Sequence, residues 1–126
     1  MKLMSNKKMN AVRMACLAAA MMAATAAQAS IKISAYQEWR KDPSSLAHSA
    51  ARNYLSTYLQ ALTVANGTLA HRQQPMLFCV PPTLRLGADN AASLLDGALK
   101  ANRATPDDDL GIVLVMELTQ AFPCKP

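Results

Sequence analysis

The amino-acid sequence predicts an all-α protein, a small bundle of about four helices in which one disulfide closes the C-terminal helical hairpin. Three observations carry this. Apolar residues after position 30 recur three and four apart, the spacing that gathers side chains on one face of a helix. Strand signals are sparse, since only Met76 to Val80 and Ile112 to Val115 are short apolar runs. Two cysteines, Cys79 and Cys124, bracket the last two helical patterns.

The first 29 residues read as a secretory signal peptide. Lys2, Lys7, Lys8 and Arg13 make a positive start without any acid, and no charge interrupts Met14 to Ala27. The apolar run falls short of the roughly 20 residues a membrane span needs. It ends in Ala27-Gln28-Ala29, the small-x-small pattern that signal peptidase accepts. Cleavage is therefore expected between Ala29 and Ser30. Cys16 follows Arg13, Met14 and Ala15, which is not a lipoprotein box, so it is expected to leave with the leader. A single domain over residues 30–126 remains. There 9 Lys and Arg face 8 Asp and Glu, a net charge of +1. The basic character of the whole chain thus gives no support to a nucleic-acid or membrane partner. No later run is long enough to cross a membrane, and the expected location is the periplasm.

Each helix has its own signals. Ser34 with Gln37 resembles a capping box opening a short helix through Tyr36, Trp39 and Arg40, with Pro43 ending it. Trp39 and Tyr36 are read as core. Ser44 or Ser45 can cap a second helix, whose stripe is Ala47, Ala51, Tyr54, Tyr58, Leu62 and Ala65 with Leu55 and Leu59 beside it. Asn66-Gly67 is expected to stop it by supplying a left-handed residue. Pro75, Pro81 and Pro82 exclude a regular helix from the following link. A third helix is expected from about Gly87 to Asn102, burying Ala91, Leu94, Leu95, Ala98 and Leu99. A fourth is expected to open on Thr105 and Pro106, with Asp107, Asp108 and Asp109 against its positive end. It would bury Leu110, Val113, Leu114, Leu118 and Ala121 and end at Pro123.

Cys79 and Cys124 form an even pair, expected to bridge in an oxidising compartment. Zinc needs four ligands and no further Cys or His lies at ligand spacing. The sequence offers little to an enzyme. His48 and His71 have no Cys, Asp or Glu at a telling distance, the four glycines are scattered singly, and bridged cysteines leave no thiol nucleophile. The expectation is no enzyme, no metal and no cofactor. The polar turns beside the hairpin are the candidate contact surface for a protein partner, through Arg103, Asp107 and Asp109 in one and His71 in the other. These groups can make charge-assisted hydrogen bonds. The competing account of the acids is helix-start stabilisation of about 0.3–1 kcal/mol each. Arg103 and Asp109 lie outside the expected apolar face, so replacing both by alanine is expected to leave the melting temperature nearly unchanged.

The phrases Leu77-Phe78-Cys79-Val80-Pro81-Pro82 and Ala121-Phe122-Pro123-Cys124-Lys125, with a helix-length segment holding Leu94, Leu95 and Leu99 between them, resemble the Rap/Tai family of immunity proteins. The likeness spans roughly residues 50–125. The chain departs from the family in having no cysteine in residues 30–78 and Pro82-Thr83 where a glycine is usual. The resemblance implies a small helical periplasmic protein that binds and neutralises a peptidoglycan amidase effector of type VI secretion. A periplasmic accessory or chaperone-like protein of a secretion or conjugation system is the alternative. A homodimer is compatible with either.

Overall fold

The computed structural model describes residues 30–125. The expected leader and its cleavage site at Ala29 lie outside them. The described chain is all-α, with α1 at Ile33–Trp39, α2 at Leu46–His71, α3 at Ala88–Lys100 and α4 at Leu110–Ala121. Its β pairing is one isolated antiparallel bridge between Lys32 and Asp109. No described helix is long and apolar enough to cross a membrane.

α1 does not open on a capping box at Ser34, which lies inside the helix; its N-cap is Lys32, with no side-chain cap. The loop before α4 satisfies the free amides instead. Ile33 N–H donates to the Asp108 carbonyl and Ser34 N–H to that of Pro106. A short helix that buries Ile33 and Tyr36 is thereby held by tertiary contacts. Arg40, just past its end, stacks over the Tyr36 ring at 5.2 Å and bonds Asp96 of α3 at 2.6 Å. Trp39 is half-buried against the core.

α2 begins at the Ser45 cap, whose hydroxyl accepts from His48 N–H at 3.0 Å. Ala51, Leu55 and Leu59 are buried along its inner face, with Tyr54, Tyr58 and Leu62 partly so, whereas Ala47 and Ala65 are exposed. The helix runs through Asn66-Gly67 to His71, about 39 Å by helical rise. The expected stop fails because the Asn66 amide is engaged elsewhere. The actual stop is Gln73, at φ 56°. Its N–H bonds the Ala70 carbonyl and that of Gln74 bonds Leu69, the paired bonds that close a helix around one left-handed residue.

α3 opens on Gly87, whose N–H is held by the Asn90 side chain at 2.9 Å. It buries Ala88, Ala91, Leu95 and Ala98, with Leu94 and Leu99 partly covered. Asn102, at φ 55°, closes it in the same way as Gln73 closes α2. Asparagine tolerates that conformation because its short amide can bond locally.

α4 starts four residues later than the sequence predicts, because Thr105 and Asp108 close a turn of their own. The Asp108 carboxylate accepts from Thr105 N–H at 2.7 Å and from its hydroxyl at 3.0 Å. Asp109 is the N-cap, accepting from Ile112 N–H. Leu110, Val113, Leu114 and Leu118 are buried as the periodicity requires, but Ala121 is exposed. Gly111 is buried where α4 passes the Tyr58 phenol, leaving no room for a β-carbon.

Successive helices pack on one another, α1 on α2, α2 on α3 and α3 on α4. Their shared centre is Ile33, Tyr36, Leu55, Leu95, Leu110, Leu114 and Leu118, all fully buried. Each apolar side chain among these contributes about 1.5–3 kcal/mol by leaving water. Cys79, in the link before α3, and Cys124, just after α4, are bonded with their Cα atoms 4.9 Å apart. The disulfide joins the two outer ends of the α3–α4 hairpin.

Candidate functional site

The link between α2 and α3 folds back along α2 and leaves an apolar groove. Its attachment begins at Asn66, whose side chain is almost fully buried on α2. The amide nitrogen donates to the Phe78 carbonyl at 2.7 Å and the amide oxygen accepts from Leu77 N–H at 2.8 Å. An asparagine in mid-helix thereby acts as a surrogate backbone unit, pairing a strand-like segment to the helix. Phe78 then drops into the core, 2% exposed. Cys79 N–H bonds the Phe122 carbonyl at 2.8 Å beside the disulfide. A turn in which Leu84 N–H bonds the Pro81 carbonyl brings the chain back toward α3.

Between α2 and this link lies a cavity of about 510 Å³, walled by Thr63, Asn66, Met76, Phe78, Cys79, Val80 and Leu84–Leu86. Met76 is 40% exposed, and Leu84 37%. Arg85 is the one charged residue on the wall. A second cleft of about 240 Å³ shares Thr63 and Leu86 with it and extends past Ser56 and Gln60 to Gly87. Leu77, beside the groove, is 41% exposed.

None of the four contact residues expected from sequence lines this groove. His71 is exposed on the last turn of α2. Arg103 is not a free cation. Its guanidinium makes a two-pronged pair with Glu117 of α4, Nε to Oε1 at 2.9 Å and Nη2 to Oε2 at 2.7 Å. That hydrogen-bonded pairing holds the Glu117 carboxyl below its ordinary range against the opposing effect of burial. The acids of the loop divide three ways: Asp107 is exposed, Asp108 closes the turn, and Asp109 caps α4. Hydrogen bonds from the Ser30 hydroxyl and then from backbone amides hold the Asp109 carboxyl low as well. Arg103 and Asp109 thus each make contacts that hold the fold, so their replacement is expected to cost some stability rather than none.

The groove residues escaped sequence reasoning because no local pattern marks them. Asn66 followed by Gly67 mimics a helix stop. The available signal was the apolar content of a proline-broken link, where Met76, Leu77, Leu84 and Leu86 had no periodic helix to belong to. Elsewhere the Tyr54 and Tyr58 rings stack with centroids 6.0 Å apart. Burial pushes both phenols upward. No group of three or more His, Cys, Asp or Glu side chains among the described residues is placed to hold a metal ion. Comparison of the chain with known families, characterised proteins and solved structures finds no match.

Proposed function

We propose that this chain is an immunity-type protein, which binds one toxic cell-wall hydrolase of the amidase class in the periplasm and blocks its cleft by surface complementarity. The observation that carries the reading is the open apolar groove between α2 and the Met76–Leu86 link. Its walls are held by the Asn66 bonds, the Phe78 anchor and the Cys79–Cys124 bridge, so little ordering remains to be done on binding. Pre-organisation of that kind favours affinity because ordering costs subtract from it. The two phrases that resemble the Rap/Tai immunity proteins, Leu77 to Pro82 and Ala121 to Lys125, are also the two segments that the disulfide ties beside the groove. Covering the exposed parts of Met76, Leu77 and Leu84 would contribute about 1 kcal/mol each.

The test is a protection assay. A peptidoglycan amidase effector of type VI secretion is directed to the periplasm of a host, with and without the chain, and lysis is followed. Protection by wild type, lost on a Leu84→Asp variant that remains folded at the assay temperature, is the expected result. Lysis at the same rate with and without the wild-type chain overturns the reading.

A further inference from the structure

We propose that the groove takes an extended peptide segment that combines large apolar side chains with a carboxylate, and that Arg85 pairs this carboxylate. The proposal rests on the reading of the chain as a partner-binding protein and names what the partner presents.

Charge supplies the first argument. Every residue on the groove wall lies between positions 63 and 86. The sequence has no Asp or Glu between Asp42 and Asp89. The wall itself therefore holds no carboxylate, and the acid nearest in sequence, Asp89 in the first turn of α3, is paired with Arg52. The cations of the described ion pairs are Arg40, Lys41, Arg52 and Arg103. Arg85 is exposed on the wall and takes part in none of them. Arg72 ends α2, and Lys125 follows the cysteine bonded to Cys79 of the groove wall. An apolar cleft with an arginine on its wall and basic residues in the flanking segments complements an acidic ligand. It would reject a basic one, since like charges brought together at an interface are costly.

Shape supplies the second argument. The cavity of about 510 Å³ continues into the cleft of about 240 Å³ through Thr63 and Leu86. The result is an elongated trough rather than a closed pouch. Ser56, Gln60 and Thr63 line it from α2 at spacings of four and three residues, which places them in one row about 10 Å long. Leu84 and Leu86 line it from the link. The α2 wall thus offers hydrogen-bonding groups beside Leu59, and the other wall offers apolar surface. The Thr63 hydroxyl donates to the Leu59 carbonyl and is left able to accept. An extended chain meets such a trough with its backbone on the polar row and alternate side chains on the leucines, whereas a fatty acid would leave the polar row unused.

The experiment is selection of a displayed library of random twelve-residue peptides on the full oxidised chain, in parallel with its Arg85→Glu variant. Arg85 is exposed and makes no ion pair among the described residues, so the variant should melt close to wild type. Wild type should enrich peptides with two or more large apolar residues and at least one acid. A selected peptide, titrated by fluorescence anisotropy, should bind Arg85→Glu about ten-fold more weakly and should not bind Leu84→Asp. Selection on Arg85→Glu should turn to peptides with Lys or Arg.

The absence of enrichment, enrichment without acids, or equal affinity for Arg85→Glu overturns the proposal. So does a concentration-dependent dimer that excludes the peptides, or displacement of bound peptide by laurate as efficiently as by unlabelled peptide. Acidic peptides that bind beside a hydrolase left fully active would refute the immunity reading alone. Hydrolase inhibition that survives both Arg85→Glu and Leu84→Asp would refute the groove assignment alone.

Discussion

Replacing Asn66 by alanine removes the clamp that positions the whole groove. The residue is 8% exposed, and its amide makes two bonds, to the Leu77 N–H and the Phe78 carbonyl. Leaving a buried donor or acceptor unsatisfied costs about 1–3 kcal/mol. The Leu77 amide lies toward the surface, where water can replace part of what is lost, so its share belongs at the low end. The Phe78 carbonyl belongs at the upper end because its residue is 2% exposed. Together they cost about 3–4 kcal/mol. Alanine returns about 0.5 kcal/mol through its better helix propensity, leaving a net loss near 3 kcal/mol. Urea denaturation of the oxidised protein measures this directly, with an unchanged dependence on denaturant as the check that the unfolded state is the same. Hydrogen exchange supplies a local readout, since the Leu77 amide should lose protection before the core amides do. A loss below about 0.5 kcal/mol with the Leu77 amide still protected would refute the reasoning. It would mean that the link is held by Phe78 and the disulfide alone.

Four other perturbations follow from the same structure. Cys79→Ser and Cys124→Ser should each cost about 2–5 kcal/mol, around the roughly 4 kcal/mol that loop-closure entropy gives for a 45-residue separation. The double variant should be little worse than either in denaturant melts, since a single bond is lost in every case. Glu117 has its carboxyl held low by Arg103, so the pair's contribution is complete above the ordinary glutamate pKa of about 4.3. It is lost as pH falls through the lower folded value. Melting temperatures from pH 7 to 3 should therefore fall less steeply on the acid side for Glu117→Gln than for wild type, and equal slopes would contradict the pairing. Gly97→Ala, at a mid-helix site with open space, should stabilise by about 0.5–1 kcal/mol. Gly111→Ala, whose new β-carbon would stand 2.5 Å from the Tyr58 hydroxyl oxygen, should destabilise by about 1 kcal/mol or more.

The helices were legible where periodicity and burial coincide. Leu55, Leu59, Leu95, Leu110, Leu114 and Leu118 are buried as spacing alone requires. The bridge was legible because the cysteines after residue 29 number two. Helix boundaries differ where a distant segment, or for α4 a local turn, supplies the bonds. Ser34 looks like a cap but is not one, because carbonyls at positions 106 and 108 serve the first amides of α1. Asn66 looks like a stop but is not one, because its amide partners lie 11 and 12 residues onward. The acids before α4 resemble one helix start, whereas Asp108 closes a turn and Asp109 caps. Arg103 looked like a free contact because the sequence does not show that Glu117 lies across the hairpin from it. The groove was least legible of all. It exists only once a proline-broken link has docked on α2, and no spacing rule encodes that docking.

Titration of a purified amidase effector with the chain, followed by release of cell-wall peptide, tests the central claim most directly. Activity should fall linearly to near zero at one equivalent of wild-type protein. The Leu84→Asp variant, used below its melting temperature, should leave it close to its starting value. Undiminished hydrolysis at a several-fold excess of oxidised wild-type protein would contradict the account.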